Sequence, residues 1–105
     1  MNLIWTENAH SDWEGIAAYI IDKFGEQGFV NFDKATDEAE LQVLHAPNSG
    51  TPLLSRRHKS LGLRYVLVHK LSKMIYHVDG DTIYVDVFWD VRQDPKRLAK
   101  RLANL

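Results

Sequence analysis

The 105-residue chain is 45% apolar and 26% charged with a net charge of −1, the composition of a soluble globular protein large enough to bury one core without staples. No apolar run approaches the roughly 20 residues of a membrane span, and the stretch from Met1 to Glu7 lacks a basic segment leading into an apolar one, so neither an anchor nor an export signal is expected. The absence of cysteine excludes disulfides and thiolate metal sites and fits a reducing cytoplasm.

The near-zero charge hides a division. Residues 1–50 carry nine acidic side chains against two basic ones (Lys23 and Lys34), a net of −7, while residues 51–105 carry eleven basic and five acidic ones, a net of +6. Such asymmetry suggests a cationic face that meets nucleic acid or an acidic protein, although a helical half with an acidic exterior would give the same count.

The first element is a short strand at Leu3 to Trp5. Thr6 reads as a helix N-cap, with Glu7 favourable in the first turn. Trp13, Ile16, Ala17, Ile20, Ile21 and Phe24 recur at three- and four-residue spacing, an apolar stripe on a helix that Gly25 ends. A second helix from about Glu26 to His45 places Phe29, Phe32, Ala39 and Val43 on one face and Asp33, Asp37, Glu38 and Glu40 elsewhere. With one short turn between them, the two form an antiparallel helical hairpin.

A loop rich in proline and glycine, His45 to Pro52, leads into a cationic connector, Leu53 to Leu61, with Arg56, Arg57, His58 and Lys59. Three strand-like runs follow at Leu63–Lys70, Lys73–Val78 and Thr82–Trp89. Asp79-Gly80-Asp81 marks a tight hairpin between the last two, since glycine tolerates the positive φ such turns require. Pro95 suits the first turn of a closing helix, Lys96 to about Ala103. One domain, residues 1–105, with neither repeats nor low-complexity tracts, accounts for the whole pattern.

An even-length hairpin loop sets Met74, Tyr76 and Val78 on the same face as Ile83, Val85 and Val87. That face belongs under the helices. Lys73, Ile75, His77, Tyr84, Asp86, Phe88 and Asp90 then fall on the opposite, open face, and Arg92 leans over it from beyond the last strand. The fold class expected is α+β: an N-terminal strand and helical hairpin packed on a mostly antiparallel four-stranded sheet, with a short C-terminal helix.

No phosphate loop, nucleophile elbow, dinucleotide fingerprint or zinc pattern occurs. His69 and His77 lie in different strands with no third ligand in view, so no metal site is expected. What remains is a set of cations with aromatics nearby: Arg56, Arg57, Lys59, Arg64, Lys73, Arg92, Lys96, Arg97, Lys100 and Arg101. These could neutralise phosphates beside stacking or proton-moving Tyr and His side chains, or meet a carboxylate-rich protein segment. On the last helix they could equally be a solvated face.

This order of elements, with "DGDTIYV" followed by "DVRQDPKRL", resembles the RelE/ParE superfamily of toxins from bacterial type II toxin–antitoxin modules, often called plasmid stabilisation proteins. The entry "IWTENAHSDWEGIAAYI", the loop "HAPNSGTPL" and the meander from Leu63 to Pro95 carry the resemblance over nearly the whole chain. It implies a small cytoplasmic growth inhibitor without cofactor or metal, neutralised by a cognate antitoxin in a toxin–antitoxin hetero-oligomer and not associated with membranes. ParE-like members inhibit DNA gyrase by binding, whereas RelE-like members act as mRNA interferases on the ribosome.

By the same resemblance Arg92 matches the arginine placed just after the last strand, and Lys73 stands where many members open the penultimate strand with arginine. The closing "KRLAKRLANL" holds no Tyr or His, and a sequence pI near 6.5 departs from the strongly basic nucleases. The resemblance therefore favours a ParE-like gyrase inhibitor, with Arg64, Lys73, His77, Tyr84 and Arg92 as the target-binding set. The alternatives are a ribosome-dependent mRNA endonuclease using Lys73, His77 and Arg92, and a non-toxic binding module of the same fold.

Overall fold

The computed structural model describes residues 1–53 and 61–105. Its elements are β1 (Asn2–Trp5), α1 (Glu7–His45), β2 (Thr51–Pro52), β3 (Arg64–Val68), β4 (Ser72–Asp79), β5 (Thr82–Asp90) and α2 (Pro95–Leu102). The expected cationic cluster Arg56, Arg57, His58 and Lys59 lies outside the described residues.

The Thr6 hydroxyl accepts a hydrogen bond from the Ala9 N–H at 3.1 Å and starts α1. A straight helix of 39 residues would run about 58 Å at 1.5 Å per residue, longer than the 39 Å greatest extent of the molecule. Gly25 resolves the conflict. Its φ of 72° is a left-handed conformation that breaks the helix into two arms. Trp13 of the first arm stacks on Phe32 and donates to the Thr36 hydroxyl at 2.9 Å, while Trp5, just before it, reaches Glu40. These pairings run in opposite directions along the two arms, so the helical hairpin expected from the sequence is present. Ile21 and Phe24, expected in its stripe, are instead about half exposed. Ile20 takes the core position, Ile21 lies roughly 100° round the helix from it, and Phe24 stands at the tip.

Among the described residues the sheet is five-stranded and mixed, in the order β1-β5-β4-β3-β2, with β1 parallel to β5 and the other pairs antiparallel. The additional strand, β2, is a two-residue pairing of Thr51 and Pro52 with Tyr65 and Arg64. Gly80 (φ 60°) turns the β4–β5 hairpin as its sequence demands.

The register of that hairpin departs from expectation at one point. Val78 pairs with Ile83 and Tyr76 with Val85, but Ile75 pairs with Val87 and Met74 with Phe88, so Asp86 is an extra residue in β5. One inserted residue exchanges the faces of everything beyond it. Phe88 therefore joins Met74, Tyr76, Ile83 and Val85 in the core under the helices, and Val87 moves to the other side.

That other side is not fully open. Leu63, Ile75, Val87, Trp89 and Leu102 form a second buried cluster, with Leu98 and Leu53 packed against it. α2 is thus an amphipathic lid on the upper sheet. Leu98 and Leu102 face down while Lys96, Arg97 and Lys100 are exposed. Asp94 caps it, accepting from the Lys96 N–H at 2.9 Å, with Pro95 in its first turn.

Candidate functional site

β5 outruns its parallel neighbour. β1 pairs with it only as far as Trp5–Val85, which leaves the stretch from Phe88 to Asp90 as a bare edge facing the first arm of α1. An unpaired buried N–H costs free energy, and Asp12 meets it. Its Oδ2 accepts from the Phe88 N–H at 3.2 Å and from Arg101 Nη2 at 2.8 Å, tying α1, β5 and α2 together through one carboxylate.

A cleft opens beside this clasp, lined by Ser11, Gly15, Tyr19, Trp89, Arg92 and Arg101 among others. Arg92 closes one end. Its Nε and Nη2 donate to the two oxygens of Asp90 at 3.0 and 2.6 Å, and its backbone N–H donates to Asp90 Oδ1 at 2.9 Å. Its Nη1 donates to the Tyr19 hydroxyl, and the guanidinium carbon lies 4.2 Å from the Tyr19 ring centroid. These contacts hold the Asp90 carboxyl below its ordinary range, chiefly through the Arg92 side-chain hydrogen bonds, and raise the already high Arg92 value for the same reason.

The other expected residues lie elsewhere. Arg64 Nη1 donates to the carbonyls of Asn48 and Gly50 at 3.2 and 2.9 Å, so it stitches the loop after α1 to β3. The buried Tyr76 hydroxyl serves the same loop, donating to the Pro47 carbonyl at 2.7 Å and accepting from the Gly50 N–H at 3.0 Å. Lys73 sits 4.4 Å over the Tyr65 ring on the outer face. Four residues further along β4, about 13 Å at strand rise, His77 stacks on Tyr84 with ring centroids 5.2 Å apart. Its Nδ1 lies 2.6 Å from Asp86 Oδ2. Burial pushes the Asp86 carboxyl upward, and the hydrogen bond from His77 partly offsets this.

The five candidates therefore divide into four places, with only His77 and Tyr84 together, and the structure does not bring Lys73, His77 and Arg92 together. Arg92 faces the helices rather than the open sheet, because the bulge at Asp86 carries Asp90 and the following corner to that side. Asp12 and Tyr19 form this corner and were missed as partners. Their signal was a second face of the first arm, with Ser11, Gly15 and Tyr19 at helical spacing beside the apolar stripe. Among the described residues no three His, Asp or Glu side chains gather closely enough to hold a metal ion, and no helix is long and apolar enough to cross a membrane.

Comparison of the sequence with family models and with curated proteins gives no match. Among solved structures, a chain titled "Chromosomal ParDE TA system from P. aeruginosa" superposes with a TM-score of 0.68 at 19% identity, over 86% of this chain and 95% of that one. The helical hairpin, the mixed sheet and the closing helix of the present chain thus compose a ParE-like α+β fold.

Proposed function

We propose that this chain is the toxin of a type II toxin–antitoxin module, a ParE-like growth inhibitor that acts by binding DNA gyrase and is neutralised by a cognate antitoxin. The observation that carries the reading is the likeness to a chain of a ParDE toxin–antitoxin system over nearly the whole length of both. The side-chain arrangement supports binding rather than catalysis. Phosphodiester cleavage needs cations and a proton acceptor converging on one phosphate, whereas Lys73, His77 and Arg92 are dispersed and Arg92 is committed to Asp90 and Tyr19.

One observation favours the RNA endonuclease alternative. The bulge aims Asp86 at His77 Nδ1, an orientation that would fix an imidazole tautomer for proton transfer. It lacks a neighbouring cation among the described contacts, and the reading ranks second for that reason. Expression of the chain in bacteria, alone and with the antitoxin gene adjacent to its own, tests the toxin assignment. Arrest when expressed alone and relief by the antitoxin are expected; unimpeded growth with abundant folded protein would favour a non-toxic binding module.

A further inference from the structure

Backbone groups of β5 face the cleft beside the Asp12 clasp in an order that the bulge sets. Asn2 donates its N–H to the Asp81 carbonyl at 2.9 Å and Thr6 to Val85 at 3.0 Å, so odd-numbered residues of β5 turn toward β1. The bulge at Asp86 shifts that phase, and beyond it the even-numbered residues face α1. The first position there is answered from within the chain. The Thr6 hydroxyl donates to the Asp86 carbonyl and Asp12 accepts from the Phe88 N–H, both at 3.2 Å. Together they imitate the N–H and C=O of a parallel strand residue beside Val87. One step further, the Phe88 C=O and the Asp90 N–H point the same way, since Trp89 pairs with Lys73 and Val91 donates to Leu71 on the opposite side. Among the described residues no hydrogen bond reaches either group. Their counterparts are committed, the Phe88 N–H to Asp12 and the Asp90 C=O to the Gln93 N–H at 3.1 Å. An antiparallel chain needs both groups of one residue, and neither Phe88 nor Asp90 has both free. One acceptor followed by one donor instead suits the N–H and C=O of a single residue in a chain parallel to β5.

We infer that the cleft binds an extended acidic segment of a partner protein, parallel to β5, with a carboxylate on the residue opposite Trp89. Residues opposite one another in a sheet share a face. Trp89 lies on the face that α2 covers, so the central side chain emerges beside α2, where Arg101 turns into the cleft. Arg101 gives one bond to Asp12 and keeps further donors. Arg97, four residues earlier on the same side of α2, is exposed. The surroundings favour an anion. Arg92 and Asp90 cancel, as do Arg101 and Asp12, which leaves Lys96, Arg97 and Lys100 against the capping Asp94 alone. The residues flanking the carboxylate face α1, where Ser11 is small and Gly15 leaves open space in place of a Cβ. The cleft, about 690 Å³, falls within the roughly 300–1,000 Å³ of ligand sites. This fixed polarity and cationic flank distinguish it from the plain edges of β1 and β3. The inference does not depend on the toxin assignment.

The probes are fluorescent heptapeptides, Gly-Ala-Val-X-Val-Ala-Gly with X as Glu, Gln or Lys, titrated with the full chain and read by polarisation. The Glu peptide is expected to bind about tenfold more tightly than the Gln peptide, less tightly as salt rises, and the Lys peptide not at all. N-methylation of the central Glu removes the N–H that meets Phe88 and should cost at least about tenfold. Gly15→Leu, which fills the cleft, should abolish binding, and Arg97→Glu should remove the preference for Glu, both with parental thermal stability. In amide NMR spectra the Asp90 N–H is expected to shift as the Glu peptide saturates. Absence of saturable Glu-peptide binding, equal affinity for the Glu and Lys peptides, or indifference to N-methylation would overturn the proposal. A single-stranded oligonucleotide that binds where the peptides do not, and that Gly15→Leu excludes, would assign the cleft to phosphates and overturn it too.

Discussion

Replacing Arg92 with alanine separates two roles that the sequence alone leaves superimposed. In the structure its side chain forms a two-pronged bond with Asp90, whose own side chain is only 13% exposed, and covers Tyr19. An exposed ion pair contributes up to about 1 kcal/mol, and this geometry belongs at the upper end. A cation over an aromatic face near the surface adds about 0.5–1 kcal/mol. Arg92→Ala is therefore expected to lower stability by about 1.5–2 kcal/mol, which for a domain of this size lowers Tm by roughly 6–16 °C.

The assay is thermal unfolding of Arg92→Ala, Tyr19→Phe and the double variant, with growth arrest scored in parallel at a temperature where all are folded. The two changes should be non-additive, because the Tyr19 hydroxyl and the guanidinium share one bond. Arg92→Lys should recover little, since an ammonium cannot reproduce the fork. A loss below about 0.3 kcal/mol with full additivity would refute the structural account of this corner. Arrest lost in a folded Arg92→Ala protein would additionally give the residue a contact with the target.

Other expectations concern the elements that hold the site in place. Tyr76→Phe leaves the Pro47 carbonyl and Gly50 N–H without their buried partner and should cost about 1–3 kcal/mol in chemical denaturation. Glu40 has its carboxyl raised first by burial, with Asp37 and Asp33 adding repulsion, despite the hydrogen bond from Trp5. A raised folded-state value means stability is lost as pH rises through that window, so Glu40→Gln should raise Tm at pH 7 and the gain should fade on acidification toward pH 4. Gly15 lies in the helix with open space where a Cβ would stand, so Gly15→Ala should stabilise by about 0.5–1 kcal/mol. Weakened arrest in that stabler protein would mark the cleft as a contact surface.

Much of the fold was legible because its signals are local. Thr6, Gly25, Gly80 and Pro95 each dictate a backbone event at their own position, and each event occurs there. The bulge at Asp86 has no comparable signature, since nothing in "YVDVFW" distinguishes a paired residue from an inserted one. That one residue reassigned Phe88 to the core and Val87 to the face under α2, and it turned Arg92 from the outer sheet toward Tyr19. The chemistry of the candidates was visible in their residue types, but their grouping was not. Which cations meet which carboxylates depends on side-chain faces, and a single register shift exchanges them.

The most direct test is a titration of purified chain into a DNA gyrase supercoiling reaction, run beside translating ribosomes carrying a defined mRNA. A ParE-like inhibitor acting by binding predicts that supercoiling falls as the chain is added, is restored by the antitoxin, and leaves the mRNA intact. Undiminished supercoiling with cleavage of the ribosome-bound mRNA would contradict the account and place the chemistry at His77 and Asp86.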